Sequence, residues 1–120
     1  MINFYKYIKP FVFRTNPEKA HYLALKAIKN NCIFDHSIEN YMKSYFSQEI
    51  CGIQFDSPIG LAAGFDKNGE IIDKIHLNGF GFAEIGTVTP LPQLGNEKPR
   101  MFRVIEDEGL INRLGFNNNG

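Results

Sequence analysis

The spacing of apolar and polar side chains predicts helices in the first part of the chain. Residues 2–13 mix apolar and aromatic side chains with two lysines, and they predict a short helix strained by Pro10. A second helix is expected to begin at Pro17, because Asn16 can cap it, proline suits the first helical position and Glu18 favours the positive end of the helix dipole. Its apolar face is formed by Ala20, Leu23, Ala24, Ala27 and Ile28.

A third helix and a small hairpin are predicted next. Residues 37–47 place apolar side chains on one side of a helix, at Ile38, Tyr41, Met42, Tyr45 and Phe46. Residues 50–55 indicate a hairpin with Cys51-Gly52 near its turn, and the sequence Asp56-Ser57-Pro58 ends it. We interpret residues 31–48 as a connection between two parts of the chain.

Residues 59–88 show the pattern of a βαβ unit. The apolar run at residues 59–63 predicts a strand, residues 69–77 have helical spacing, and residues 82–88 predict a second strand. Such a unit pairs parallel strands through a right-handed crossover. Both strands end in small or hydroxyl-bearing residues, so these residues meet at the edge where α/β folds bind their ligands.

The loop after the first of these strands is a candidate binding loop. Glycines at positions 64 and 69 let a flat or anionic ligand approach the main chain closely, and Lys67 brings a cation to the same place. The simpler interpretation is a common strand–loop–helix connection with a solvated lysine. The loop alone does not decide between the two.

The last thirty residues predict an irregular stretch, a hairpin and a polar turn. Residues 90–100 are too rich in proline and polar side chains for regular structure, and residues 101–105 and 110–112 predict a hairpin over the ligand face. Amide or guanidinium groups then surround Gly115, on Asn112, Arg113, Asn117 and Asn118. Amides can recognise both donors and acceptors of a pyrimidine-like ring and a cation can hold a carboxylate, although an Asn-rich turn is the simpler interpretation.

The formal charge of the chain is zero, but it is unevenly distributed. Residues 1–48 carry seven basic and three acidic side chains, a net charge of +4, so the remainder carries −4. This basic, aromatic and amphipathic arm suits an interfacial membrane anchor, and it suits equally well a helical cap packed on the following domain. Its lysines are too widely spaced for a nucleic-acid-binding surface.

Other classes of protein and site find little support in the sequence. No run of about 18 apolar residues predicts a membrane span, and no secretory signal sequence begins the chain. Cys32 and Cys51 lie far apart without a Cys/His cluster, so we expect reduced structural thiols and no metal. The polar ending at residues 115–120 comes where an α/β unit would continue, which suggests a fragment.

Four stretches together resemble the dihydroorotate dehydrogenases in order and spacing. They are residues 61–69 (LAAGFDKNG), 84–90 (EIGTVTP), 95–100 (GNEKPR) and 111–118 (INRLGFNN). The basic helical arm before them is similar to that of the class 2, quinone-linked and membrane-associated enzymes. The resemblance implies an α/β fold in which residues 1–48 form a helical membrane-associating and quinone-tunnel arm and residues 49–120 begin an FMN-binding (β/α)8 TIM barrel, incomplete in this chain.

The resemblance also implies roles for individual residues. FMN contacts are expected at Ala63, Gly64, Phe65, Asp66, Lys67 and Thr87. Substrate contacts are expected at Lys67, Asn112, Arg113, Leu114, Gly115 and Phe116. His21 and Arg103 match the region that lines the quinone tunnel. The catalytic base of the class, a serine, is expected outside these 120 residues.

The implied activity is oxidation of dihydroorotate to orotate in pyrimidine biosynthesis, with electrons passing through FMN to a membrane quinone. The implied location is peripheral, on the cytoplasmic side of the cell membrane. Because two parallel strands cannot close a barrel, the isolated chain is expected to be inactive. Two other hypotheses remain: a truncated remnant that only binds a membrane or a partner, and a related flavin barrel with a different substrate.

Overall fold

Three helices form the first part of the structure, a computed structural model that describes residues 5–33 and 35–120. They are α1 (Tyr5–Arg14), α2 (Pro17–Lys29) and α3 (His36–Phe46), as the sequence predicted to within a few residues. Residues 2–4 of the first predicted helix lie outside the described residues. The side chain of Asn16 accepts a hydrogen bond from the Lys19 amide, which confirms the predicted cap of α2. No helix in the described ranges is long and apolar enough to cross a bilayer.

The buried face of α2 differs from the predicted apolar face. Leu25 and Glu18 are buried, whereas Leu23 is 52% exposed. Glu18 and Leu25 are seven residues apart and therefore lie on the same side of the helix. The prediction was wrong at Leu23 and did not include Leu25, because the buried partner of Glu18, which fixes how α2 is rotated, is not visible in the spacing of apolar residues.

Two antiparallel hairpins confirm the predicted ones. Strands β1 (Gln48–Ile50) and β2 (Ile53–Phe55) pair across Cys51 and Gly52, whose φ angles of 53° and 79° suit a tight two-residue turn. Strands β5 (Met101–Val104) and β6 (Gly109–Asn112) form the second hairpin.

The predicted βαβ unit is present in a shorter form. Strands β3 (Gly60–Leu61) and β4 (Phe82–Ala83) pair in parallel, with Gly60 opposite Phe82. The connection contains a 3-10 helix, Ile72–Asn78, instead of an α-helix over 69–77. Just before this helix, the Asp66 carboxylate caps the chain by accepting hydrogen bonds from the amides of Glu70 (2.8 Å) and Ile71 (2.9 Å).

A small apolar core joins α2 to this unit. Leu25, Ile71 and Ile75 are buried together, and partly buried side chains pack around them, at Ile28, Leu61, Phe65, Phe80 and Ala83. Much apolar surface stays exposed elsewhere, for example at Val88 and Leu94. The core therefore lies beneath the loop that follows β3 and holds α2 against it.

A buried ion pair fixes the other end of α2. Glu18 Oε1 accepts hydrogen bonds from Arg100 Nη2 (2.6 Å) and Nε (3.0 Å), and both residues are at most 6% exposed. Lys98 Nζ lies 3.7 Å from the same oxygen. Because Arg100 immediately precedes β5, this pair attaches the first turn of α2 to the second hairpin.

Replacing Asp66 with asparagine tests its capping role. Asp66→Asn places an amide group near two buried N–H donors, so we expect the free energy of unfolding to fall by about 1–3 kcal/mol. Asp73→Asn, on the exposed side of the 3-10 helix, is the control and should change it by less than about 0.5 kcal/mol. Urea unfolding of the protein expressed from its whole reading frame measures both, and equal effects would contradict the capping role.

The Glu18–Arg100 pair makes stability depend on pH in the acid range. The hydrogen bonds from Arg100 hold the pKa of Glu18 below its ordinary value of 4.5. The stabilisation is therefore complete above about pH 4.5, the unfolded pKa, and is lost as the pH falls through the lower folded pKa. Glu18→Gln should cost about 3 kcal/mol at pH 7, since it leaves a buried guanidinium unpaired.

Urea unfolding at a series of pH values checks this expectation. The difference in unfolding free energy between the wild type and Glu18→Gln should narrow as the pH falls, because a protonated Glu18 is also neutral. A difference that stays constant down to acid pH would show that the charge of Glu18 does not stabilise the fold.

Candidate functional site

The loop after β3 presents an open stretch of main chain. Ala62 and Ala63 are exposed, and Gly64 has a φ of +103°, which L side chains rarely adopt. A Cβ built on Gly64 would meet no heavy atom within 4 Å. The backbone here is therefore accessible to a flat ligand at the carboxyl end of the parallel pair.

Lys67 connects this loop to the last segment of the chain. Its Nζ donates hydrogen bonds to Asn117 Oδ1 (2.8 Å) and to the Gly115 carbonyl (3.3 Å). Burial, and secondarily the positive charge of Arg100, lower the pKa of Lys67 below its ordinary value. In the described part of the chain no carboxylate forms an ion pair with this ammonium group. A partly buried cation of this kind is suited to an anionic ligand.

The segment that follows β4 reaches the same place. Gly86 packs so closely that a Cβ on it would lie 3.0 Å from the Cα of Lys67. Thr87, Lys67 and Asn118 line one depression of about 290 Å³. The structure thus brings Thr87 and Lys67 together, as expected of residues that share one ligand.

The segment at residues 112–116 lies beside Lys67, but two of its polar side chains have other partners. Asn112 Oδ1 accepts from the Leu114 amide (3.4 Å), and the Arg113 guanidinium donates to the Pro99 carbonyl (3.1 Å). Leu114 is buried and Phe116 is exposed. It is the main chain of this segment, at Gly115, that meets Lys67.

Asn68, Asn117 and Asn118 belong to the site although the resemblance assigned them no role. Asn68 Oδ1 accepts from the Asn119 amide (3.0 Å), and Asn118 Oδ1 accepts from Thr89 Oγ1 (2.8 Å). These contacts tie the first loop, the segment after β4 and the last segment together. The cluster of amides around Gly115 was the sequence signal for Asn117 and Asn118.

Asp66 contributes to the site by binding the backbone of the loop that carries Lys67. Its side chain is 3% exposed, and both carboxylate oxygens accept from backbone amides. It therefore shapes the loop that carries Lys67.

His21 and Arg103 lie on different elements, His21 in α2 and Arg103 in β5, and they contact different parts of the structure. His21 Nε2 is 2.5 Å from the carbonyl oxygen of Phe65, and the two rings are 5.1 Å apart. Because a carbonyl only accepts hydrogen bonds, Nε2 carries the proton. Arg103 instead donates to the carbonyls of Thr15 (2.6 Å) and Val12 (3.3 Å) at the end of α1.

The depressions around these two residues also differ. His21 lines a narrow crevice with Lys67 and Asn117. Arg103 lines a depression of about 400 Å³ with Phe13 of α1 and Leu110 of β6. His21 thus belongs to the surroundings of the first loop, whereas Arg103 belongs to the contact between α1 and the second hairpin. The described residues contain no group of three or more His, Cys, Asp or Glu side chains that could hold a metal.

The chain is similar to known proteins over most of its length. The family model described as "Dihydroorotate dehydrogenase" matches residues 45–120. A protein from Aeromonas hydrophila subsp. hydrophila named "Dihydroorotate dehydrogenase (quinone)" is 48% identical, over 97% of this chain and 35% of its own length. A protein of the same name from Polynucleobacter asymbioticus is 50% identical, over all of this chain and 35% of its own length. The chain thus spans about a third of the length of these curated relatives.

A solved structure supports the fold. The crystal structure of DHODH from Eimeria tenella in complex with ferulenol matches with a TM-score of 0.77 and 45% identity, over 87% of this chain and 27% of that one. The expected fold class, an α/β chain that forms part of a barrel, is confirmed. The chain belongs to the dihydroorotate dehydrogenase family.

Proposed function

We propose that the protein containing this chain oxidises dihydroorotate to orotate in pyrimidine biosynthesis and passes the electrons through FMN to a membrane quinone. The main support is the position of Lys67, a partly buried cation without a carboxylate partner among the described residues, on the loop after β3, against the segment after β4 and beside residues 112–118. The names of its relatives support the same reaction.

The residues around Gly64 are suited to FMN. The open backbone at Gly64 and the small side chains of Ala62 and Ala63 leave room for a flat ring system. We infer that Ala63, Gly64, Phe65 and Lys67 contact the flavin together with Thr87. The buried carboxylate of Asp66 holds their loop in shape through its hydrogen bonds to the backbone. When bound, FMN supplies the acceptor for the two electrons of the oxidation.

The polar groups near Lys67 are suited to the substrate. The reaction removes a proton from C5 and a hydride from C6 of a ring that carries a carboxylate and cyclic amides. Lys67 has used two of its three N–H donors, so one remains to stabilise negative charge on the substrate. We infer that Asn112 recognises the pyrimidine ring and that Arg113 to Phe116 complete the substrate segment. The base that removes the C5 proton is assigned to a residue outside these 120.

We propose that the N-terminal arm, residues 1–48, associates with the membrane and lines the quinone tunnel. Tyr7 and Phe11 of α1 are 67% and 70% exposed, beside exposed Lys6 and Lys9. Exposed aromatic rings next to lysines suit the headgroup region of an anionic membrane, which supports peripheral association on the cytoplasmic side. We infer that residues 1–48 form this arm, with His21 and Arg103 in the quinone tunnel, and that residues 49–120 begin the flavin-binding barrel.

An assay of electron acceptors tests the proposed function. The protein expressed from its whole reading frame should oxidise dihydroorotate with a short-chain quinone and not with fumarate. The isolated 120 residues should neither bind FMN stoichiometrically nor turn over. Membrane binding without turnover by the whole protein would favour a binding remnant, and turnover with fumarate would place it in a different class.

Replacing Lys67 tests its part in the reaction. Lys67→Met keeps much of the side-chain volume and removes the charge, so kcat/KM for dihydroorotate should fall by about a hundredfold or more. Lys26→Met, on the exposed side of α2, is the control and should leave kcat/KM unchanged. An unchanged rate in Lys67→Met would remove Lys67 from the mechanism.

The pH profile gives a second measure of Lys67. Because burial lowers the pKa of Lys67, the ammonium loses its proton below the ordinary lysine value of 10.5. In the wild type, kcat/KM should therefore fall on the alkaline side with a midpoint below that value, since kcat/KM reports groups of the free enzyme. The same alkaline fall in Lys67→Met would assign it to another group.

A further inference from the structure

Arg100 connects α2 to two separate stretches of main chain. Besides its two hydrogen bonds to Glu18, its Nη1 donates to the carbonyls of Leu94 (2.6 Å) and Asn96 (3.0 Å). Its own carbonyl accepts from the Arg113 amide (2.9 Å). A single buried side chain is thus bound at one end by the arm and at the other by the loop before β5.

The loop that Arg100 holds is attached in turn to the proposed substrate segment. Asn96 Nδ2 donates to the Arg113 carbonyl (2.7 Å), and the Asn96 amide donates to the Leu114 carbonyl (3.0 Å). Gly95 makes this approach possible, because a Cβ there would lie 2.2 Å from the Leu114 carbonyl oxygen. The next carbonyl, at Gly115, binds Lys67.

These contacts form one continuous path from the arm to the site. It runs from Glu18 through Arg100 and Asn96 to residues 113–115, and it ends at the ammonium group of Lys67. We propose that Glu18 is a positioning residue, which holds the substrate segment in its binding geometry through Arg100 and Asn96. This inference rests on the proposed function, since it takes residues 112–116 as the segment that binds dihydroorotate.

The charge of Glu18 is what makes the path effective. Arg100 is buried, and a guanidinium group can be kept there only with an anionic partner and satisfied donors. If Glu18 becomes neutral, the buried guanidinium group of Arg100 loses its anionic partner and is expected to move towards water. Residues 94 and 96, whose carbonyls it binds, would be displaced with it. Residues 112–116 would then lose the hydrogen bonds from Asn96 that hold them in place.

Two variants interrupt the path at different links. Glu18→Gln removes the charge at the arm, and Asn96→Ala removes the side-chain bond to the Arg113 carbonyl while leaving the ion pair in place. Each should raise KM for dihydroorotate by roughly tenfold, because small misplacements of binding groups weaken their contacts with substrate. The KM for a short-chain quinone and the FMN content should stay as in the wild type.

The double variant separates positioning from general damage. If both residues act through one path, Glu18→Gln/Asn96→Ala should be no worse in KM than the more affected single variant. Lys29→Gln is the matched control, because Lys29 also links α2 to the core of the chain, through an exposed ion pair with Glu70, but lies off the path. It should leave KM for dihydroorotate unchanged.

Hydrogen exchange gives a readout that does not depend on turnover. In both single variants the backbone amide hydrogens of residues 96 and 113 should exchange with solvent faster than in the wild type. Those of residues 70 and 71 should exchange at the wild-type rate. If Glu18→Gln does not fold, Asn96→Ala and Arg100→Lys are measured in its place. Arg100→Lys keeps the positive charge beside Glu18 but loses the pair of hydrogen bonds from the guanidinium group to the Leu94 and Asn96 carbonyls.

The outcomes distinguish this inference from the proposed function. Unchanged KM in the variants, effects that multiply in the double variant, or unchanged exchange at residues 96 and 113 would overturn the positioning role while leaving the activity of the wild type intact. A wild type that does not oxidise dihydroorotate would overturn the proposed function and the substrate part of this inference. The exchange data would then decide alone whether Glu18 holds the segment.

Discussion

The structure depends on the buried ion pair between Glu18 and Arg100. Removing two charges from water is costly, and it is compensated only when each charge has a close partner and its remaining donors are satisfied. Arg100 meets both conditions by binding Glu18 on one side and the carbonyls of Leu94 and Asn96 on the other. The pair therefore fixes the rotation of α2 and the path of the loop before β5 at the same time.

The site follows from this arrangement and from the parallel pair of strands. Leu25 packs on Ile71 and Ile75, which holds α2 over the loop after β3, and Asp66 fixes that loop from inside. Gly86 allows the segment after β4 to approach Lys67. Gly86 and residues 115–117, which are far apart in sequence, thereby lie against Lys67. Its ammonium group is partly desolvated and has no carboxylate partner in the described ranges. This arrangement suits an anionic substrate beside a flat cofactor.

Much of this could be predicted from the sequence because the signals are local. Asn16-Pro17 placed the start of α2, Cys51-Gly52 placed a turn, and the parallel pair followed from two apolar runs separated by a helical pattern. The rotation of α2 was missed because the partner of Glu18 is 82 residues away, where no periodicity could reveal it. The sequence predicted a helix after the first loop but not its 3-10 form, because the spacing of apolar residues does not distinguish the two. The contact between Lys67 and Asn117 spans 50 residues and needed the fold itself.

The most direct test of the account is a crystal structure of the protein, expressed from its whole reading frame, with orotate and FMN bound. We expect orotate to lie against Lys67 and the segment at residues 112–116, with the Lys67 ammonium group and the Asn112 amide within hydrogen-bond distance of it. FMN should lie along the main chain at Gly64. Orotate bound away from Lys67, or a flavin that does not contact the loop after β3, would contradict the account.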